Sequence, residues 1–256
     1  MELLSKVGAY EFMAEPFHCD FSHRLFLGHL GNHMLNAAEF HSDDRGYGMS
    51  YLNQVHKTWV LSRLVIEMQS MPRAYDRFTV ETWVEGAMRY FTDRCFAIVG
   101  SDGHPYGYGR SVWALIDTDT RQPTDILSVH DALIEQYIET EKPCPIARSS
   151  RVKMSPDATL VRSIATGYSD VDVNGHINSV KYIEHVLDLW PLDWYRQYRV
   201  ARFEIAYVAE SHAGDTLSFF REEVGENEFC IRITKSKSDA TESAEACRCK
   251  VKFVKE

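Results

Sequence analysis

Twice in 256 residues the sequence places one stretch of helical periodicity ahead of a run of short period-two segments. That order restricts the chain to an α+β class in which antiparallel strands wrap a single helix, stated twice over. In the first half Leu30, Met34, Ala37, Ala38 and His41 share one helical face, and the turn-rich stretch 42–48 ends the helix. Two short strands are expected ahead of it, over 12–17 and 24–27. Four more follow, over 59–69, 78–85, 90–99 and 109–116, divided by Pro72, Gly86 and Asp102-Gly103. In the second half a strand over 161–166 leads to a helix carrying Ile177, Val180, Ile183 and Leu187 at helical spacing. Strands are expected again over 200–208, 216–222, 229–235 and 247–254. Within the first of these, Phe203, Ile205 and Tyr207 alternate with Arg202 and Glu204, the pattern of a strand with one buried face.

Between the halves the pattern loosens. Pro123, Pro143 and Pro145 flank a short helical stretch over 129–137, and the boundary is placed after it, giving domains 1–147 and 148–256. The repeat is faint at the level of residues. At an offset near 140, His29 opens the first helix as His176 opens the second, and 68–76 matches 207–215. Ser101-Asp102 pairs with Ser238-Asp239 in the turn before the last strand.

Lys and Arg total 28 against 37 Asp and Glu, a formal charge of -9, which argues against broad nucleic-acid or anionic-membrane binding. The six cysteines lack zinc-type spacing, and Cys247 and Cys249 alternate with Arg248 and Lys250 so that both thiols point with Val251 and Phe253 toward the core. They read as small buried residues of a reducing compartment. His29 and His33 stand at i and i+4, but no acid lies between them, so they read as helix residues and no metal is expected. No segment is apolar enough to span a bilayer and the N-terminus offers no cleavage signal, so a cytoplasmic location is expected.

Chemistry concentrates in the stretch from Asp170 to His185, which gathers acid, amide and imidazole at a predicted helix start. Asp172 or Asn174 is expected to cap the first turn, and Gly175 gives conformational freedom at the entry. Backbone N–H groups and the positive end of the helix would then face whatever lies beside Asn174 and His176, an arrangement that suits a developing oxyanion. Read singly, Asp172 and Asn174 are also ordinary capping residues, and Glu210 an exposed acid at a strand end.

Together with these residues, Asp170-Val171-Asp172-Val173-Asn174-Gly175-His176-Ile177-Asn178-Ser179-Val180-Lys181-Tyr182, Trp59-Val60-Leu61-Ser62-Arg63, Glu67-Met68 with Pro72, Val80-Glu81-Thr82-Trp83, Ser111-Val112-Trp113 and Asp119-Thr120-Arg121 make the chain resemble a known family. It is similar to the plant-type acyl-acyl carrier protein thioesterases, and more so to their bacterial relatives. The resemblance implies two tandem hotdog domains, each an antiparallel sheet around a central helix. Acyl-chain binding falls largely in the first, on the face of Leu30, Met34, Ala37 and Ala38, and catalysis in the second. By motif position Asp172, Asn174, His176 and Glu210 carry over as catalytic. The activity implied is hydrolysis of acyl-acyl carrier protein to a free fatty acid, ending fatty acid synthesis, with the acylated carrier protein as partner and no cofactor. No nucleic acid or membrane partner is implied, and a homodimer is allowed.

Two positions depart from the family pattern. Gly175 stands where Gln is common, and Ser211 where many plant members have Cys. A cysteine mechanism therefore lacks its thiolate, which leaves water activated by a carboxylate, with Ser211 or a direct attack by Asp172 as alternatives. The rival activities are an acyl-coenzyme A thioesterase and a non-catalytic or dehydratase-like binder of acyl thioesters. Carrier proteins are acidic, and Arg148, Arg151, Lys153 and Arg162 around the linker are the candidate landing patch.

Overall fold

The computed structural model describes residues 3–237 and 243–256; Ser238 and Asp239, one half of a turn pair in the sequence repeat, lie outside them. The chain divides into two compact units, Met1–Arg148 and Ser149–Glu256.

In the first unit the elements run β1 (Gly8–Met13), α1 (Leu27–Asp44), α2 (Met49–Leu52), β2 (Lys57–Met68), β3 (Arg77–Ala87), β4 (Phe91–Gly100) and β5 (Pro105–Asp117). The strands pair antiparallel in the order β1-β3-β4-β5-β2. Alternation along β3 and β4 buries Phe78, Val80, Phe96 and Ile98, and each such side chain contributes about 1.5–3 kcal/mol of apolar burial. Helix α1 turns Leu27, Leu30, Gly31, Met34, Ala37, Ala38 and His41 inward. Small residues bring this helix close to the strands: a Cβ at Gly109 on β5 would collide with the Met34 methyl. The stretch expected to be helical near 129–137 is a 3-10 segment, His130–Tyr137, interrupted where Asp131 and Ala132 take positive φ.

The second unit repeats the plan with β6 (Thr159–Ala165), α3 (Ser179–Leu187), α4 (Leu192–Tyr195), β7 (Tyr198–Tyr207), β8 (Thr216–Gly225), β9 (Glu228–Ser236) and β10 (Ala244–Lys255). Its strands pair antiparallel in the order β6-β8-β9-β10-β7, which is the first unit's order strand for strand. Cys247, Cys249 and Val251 are fully buried and Phe253 nearly so, as the alternation of β10 requires.

Two expected strands are corrected. The strand expected over 12–17 is cut short at Met13, because Pro16 starts a 3-10 turn, Pro16–His18. No strand forms over 24–27; Arg24 and Leu25 make only isolated bridges, to Arg73 and Cys19, and Leu27 already belongs to α1. Among the described residues no helix is long and apolar enough to cross a membrane.

Candidate active site

Between β6 and α3 the backbone makes a tight hairpin closed by Asp172 and His176. Val171 and Ile177 bridge antiparallel, Asp172 N donates to His176 O at 2.8 Å, and Gly175 N donates to Asp172 O at 3.1 Å. The Asp172 carboxylate holds the turn from inside, its Oδ1 accepting from Asn174 N at 2.8 Å and His176 N at 3.2 Å. This is the local bond that Asp makes two residues on and that competes with helix. Gly175 sits at φ 80°, the left-handed region that strains any other residue except Asn or Asp. The helix start expected at Asp172 or Asn174 is thereby corrected. Helix α3 begins at Ser179, capped by Asn178, whose Oδ1 accepts from Val180 N at 3.0 Å. Asn174 and His176 therefore belong to the hairpin and not to the helix terminus.

The loop after β7 forms the opposite wall. It is tied down by Thr166, whose Oγ1 donates to His212 O at 2.8 Å, and by Asp215, whose Oδ2 accepts from His212 N at 2.9 Å. Ile177 N donates to Ser211 O at 2.8 Å, so the hairpin is stitched to this loop by main chain. That stitch brings two of the expected residues together: His176 Nε2 stands 3.4 Å from Glu210 Oε2, both side chains partly buried. Asn174 is exposed on the same hairpin. The Lys235 ammonium, from β9, donates to the Glu210 carbonyl.

Ser211 does not join this set. Its Oγ is fully buried, forms no well-made hydrogen bond among the described residues, and has the Tyr182 phenol beside it, whose own ionisation burial pushes up. A serine nucleophile needs a base in reach of its hydroxyl, and neither His176 nor Glu210 bonds to it. Ser211→Ala is accordingly expected to retain most activity in a thioester assay. Loss as deep as that of a Glu210 variant would reinstate the serine.

Three neighbours were not singled out by sequence reasoning. His212 is exposed and presents its ring edge-on to His176 at 5.1 Å between centroids. Asp170 is buried, accepts from Gly167 N at 2.8 Å, and meets His185 Nε2 at 2.9 Å, which pins the base of the hairpin to α3. The only available signal was their place beside Glu210 and at the head of the motif.

The same hairpin occurs in the first unit. Ser22 N and Arg24 N donate to Asp20 Oδ1 at 2.7 and 3.2 Å, Asp20 N donates to Arg24 O at 2.8 Å, and His23 takes φ 60°. Leu25 N donates to Pro72 O at 2.9 Å, and Arg73 N to Asp76 Oδ2 at 2.8 Å. Asp20 thus stands where Asp172 does, Ser22 where Asn174 does, Arg24 where His176 does, and Met71 where Glu210 does. The sequence repeat, which set His29 against His176, is corrected by this register. Of these positions the two units share only the aspartate, so matching by side-chain type could not find it, whereas the main-chain bonds do.

The acyl-ACP thioesterase N-terminal domain model matches residues 8–137, and the C-terminal domain model matches residues 154–255. The chain belongs to the acyl-ACP thioesterase family. An acyl-ACP thioesterase from Bacteroides thetaiotaomicron superposes with a TM-score of 0.89 at 51% identity, over 97% of this chain and 98% of that one. The 12:0-ACP thioesterase from Umbellularia californica, 18% identical, matches over the full length of both chains with a TM-score of 0.83, a likeness of fold. The chloroplastic palmitoyl-acyl carrier protein thioesterase of Gossypium hirsutum is 26% identical over 191 residues, 73% of this chain and 43% of that protein. The chloroplastic oleoyl-acyl carrier protein thioesterase 2 of Arabidopsis thaliana is 24% identical over 223 residues, 83% and 59% respectively. The chain spans about half the length of these two plant relatives. Each unit of this family member is a hotdog fold.

Of the basic residues proposed around the linker, Arg148 is held by Asp93 at 2.6 Å and Glu85 at 2.7 Å, and Arg162 lies 3.4 Å from Asp188. Their charge is largely compensated within their own units. Arg151 is exposed.

Proposed function

We propose that the protein hydrolyses the thioester of an acylated carrier protein, releasing a free fatty acid and the carrier thiol. The observation that carries this reading is the meeting of His176 with Glu210 across the hairpin that also presents Asn174. In the scheme, Glu210 and His176 take a proton from a water molecule as its oxygen attacks the thioester carbonyl carbon. The Asn174 amide, with its N–H donors, stabilises the carbonyl oxygen as it gains charge. Collapse of the tetrahedral intermediate breaks the C–S bond, the thiolate leaves and takes up the proton, and the acid remains. Asp172 acts through the hairpin, because its Oδ1 already serves two backbone donors. A separation of 3.4 Å between His176 and Glu210 is long for a hydrogen bond, and such contacts tighten when substrate fills the site.

The first unit holds the acyl chain along α1, where Leu30, Met34, Ala37 and Ala38 are buried. Location in the cytoplasm and the carrier protein as partner belong to the same reading. The test is a kinetic panel of acyl-carrier protein and acyl-coenzyme A substrates at matched chain lengths, read by release of free thiol. Faster turnover per active site on the carrier-protein esters is expected. Preference for the coenzyme A esters would make the protein an acyl-coenzyme A thioesterase, and no thiol release from either would make it a binder.

A further inference from the structure

We propose that the cavity between α1 and the sheet of the first unit takes an acyl chain bearing an oxygen function, hydroxyl, oxo or carboxylate, at a position remote from the thioester. This rests on the reading that the first unit holds the chain. The cavity is open to solvent on one side, its empty space is about 300 Å³ with that open part counted, and its lining includes Ala38, Glu39 and Ser42 from α1, Arg94 from β4, Tyr47, and the indoles of Trp59 and Trp113. Ala38, Trp59 and Trp113 suit an alkyl chain. Arg94 does not.

The Arg94 side chain lies in the interior, only 5% exposed, on a strand whose other buried residues include Phe96 and Ile98. Its Nη2 donates to Ser42 Oγ at 2.8 Å and its Nη1 to Thr82 Oγ1 at 3.2 Å. Both partners are neutral hydroxyls, the Tyr47 phenol stands beside them, and among the described residues no carboxylate forms an ion pair with it. A guanidinium offers five N–H donors in a fixed fork, and a buried one whose hydrogen bonds go to hydroxyls keeps donor capacity for a further acceptor. Glu39 of α1 lines the same cavity and attracts Arg94 without forming an ion pair: its Oε1 accepts from Met49 N at 2.6 Å, and burial pushes its carboxyl up. A chain ending in methyl would bury methylenes against the charge and satisfy none of it, whereas an oxygen at that depth would accept from it.

The wall around the guanidinium is built rather than accidental. Thr82 Oγ1 donates onward to Cys95 O at 3.0 Å, and Ser42 Oγ to Ala38 O at 3.0 Å, which leaves both hydroxyls turned to accept from Arg94. The indole N–H of Trp59 is tied to Tyr47 O at 2.9 Å, and that of Trp113 to Ser111 Oγ at 2.8 Å. The indole donors are thus occupied, and Arg94 is the cation in the lining.

The experiment compares thioesters of matched length whose chains end in methyl, hydroxyl, oxo or carboxylate, with the full-length protein. A hydrogen bond to a charged group is worth about tenfold or more in affinity, so kcat/KM for at least one oxygen-bearing series is expected to exceed the methyl series by about that factor. The difference should lie in KM, vanish in Arg94→Leu and survive in part in Arg94→Lys. The three oxygen arms identify which function is taken. Should Arg94→Leu fail to fold, titration of the wild-type protein with free hydroxy-alkanoic, dicarboxylic and plain alkanoic acids decides. It is followed by tryptophan emission, with Trp113→Phe to assign the signal to this cavity. Equal rates for every chain end, with ordinary turnover of the methyl series, would overturn the inference and leave the proposed hydrolysis standing. If no thioester is hydrolysed, the hydrolysis reading fails instead, and the titration still judges the cavity: tighter binding of an oxygen-bearing acid supports the inference, equal binding refutes it.

Discussion

Replacing Glu210 by Ala is expected to lower kcat by about two orders of magnitude or more, with KM little changed, because in the proposed scheme the lost group acts on water in the transition state and not on the bound chain. His176→Ala should be about as damaging. The double variant should be only slightly worse than either single one, since His176 Nε2 and Glu210 Oε2 face each other at 3.4 Å and in the proposed scheme serve one proton transfer. Neither side chain is part of the buried core, so melting temperatures close to wild type are expected. A folded Glu210→Ala protein with near-normal kcat would remove this carboxylate from the chemistry. Fully multiplicative losses in the double variant would instead mean that the two groups act in separate steps.

The second large effect separates what Asp172 does for the backbone from what its hairpin does for catalysis. Asp172→Ala removes the acceptor of two main-chain donors, Asn174 N and His176 N. Loss of a comparable capping acceptor costs about 0.5–2 kcal/mol, so the fold should survive. Activity should not: with the hairpin loosened, Asn174 and His176 are no longer held in place, and kcat is expected to fall by about two orders of magnitude. The control is built into the chain. Asp20→Ala deletes the equivalent acceptor, which serves Ser22 N and Arg24 N in the first unit, and it should cost similar stability while leaving kcat within a fewfold of wild type. The comparison is read from paired denaturation curves and initial rates. If Asp20→Ala inactivated the protein as deeply as Asp172→Ala, the loss in both would be one of folding, and Asp172 would have no special part in the reaction.

Much of the architecture was legible because it depends on periodicity. Phe203, Ile205 and Tyr207 alternate along β7, Leu30, Met34, Ala37 and Ala38 recur along α1, and such patterns state which face is buried whatever the partner. The stretches expected over 12–17 and 24–27 failed for a local reason. Pro16 and the Asp20 side chain impose turns that apolar alternation does not register. The start of α3 was misplaced in the same way: Asp172 and Asn178 are both capping types, and only the backbone shows that Asp172 closes a hairpin while Asn178 caps the helix.

Residue types were legible in the candidate site, and relations between them were not. The motif at Asp172, Asn174 and His176 and the acid at Glu210 could be named from the chain by family resemblance. That His176 meets Glu210, that Ser211 is buried away from both, and that His212 and Lys235 stand beside them depend on main-chain bonds joining segments far apart in sequence. Ile177 N to Ser211 O is one such bond, and Thr166 to His212 and Asp215 is another. By itself the sequence determined the fold class and the duplication, which are carried by periodicity along the chain, and the family, which is carried by its motifs. Only the tertiary structure decided that His176 and Glu210 face each other, and that the interior of the first unit contains a guanidinium with which, among the described residues, no carboxylate forms an ion pair. The physical reason is that hydrogen-bond partnership and burial are properties of distance in space, to which spacing along the chain has no direct access.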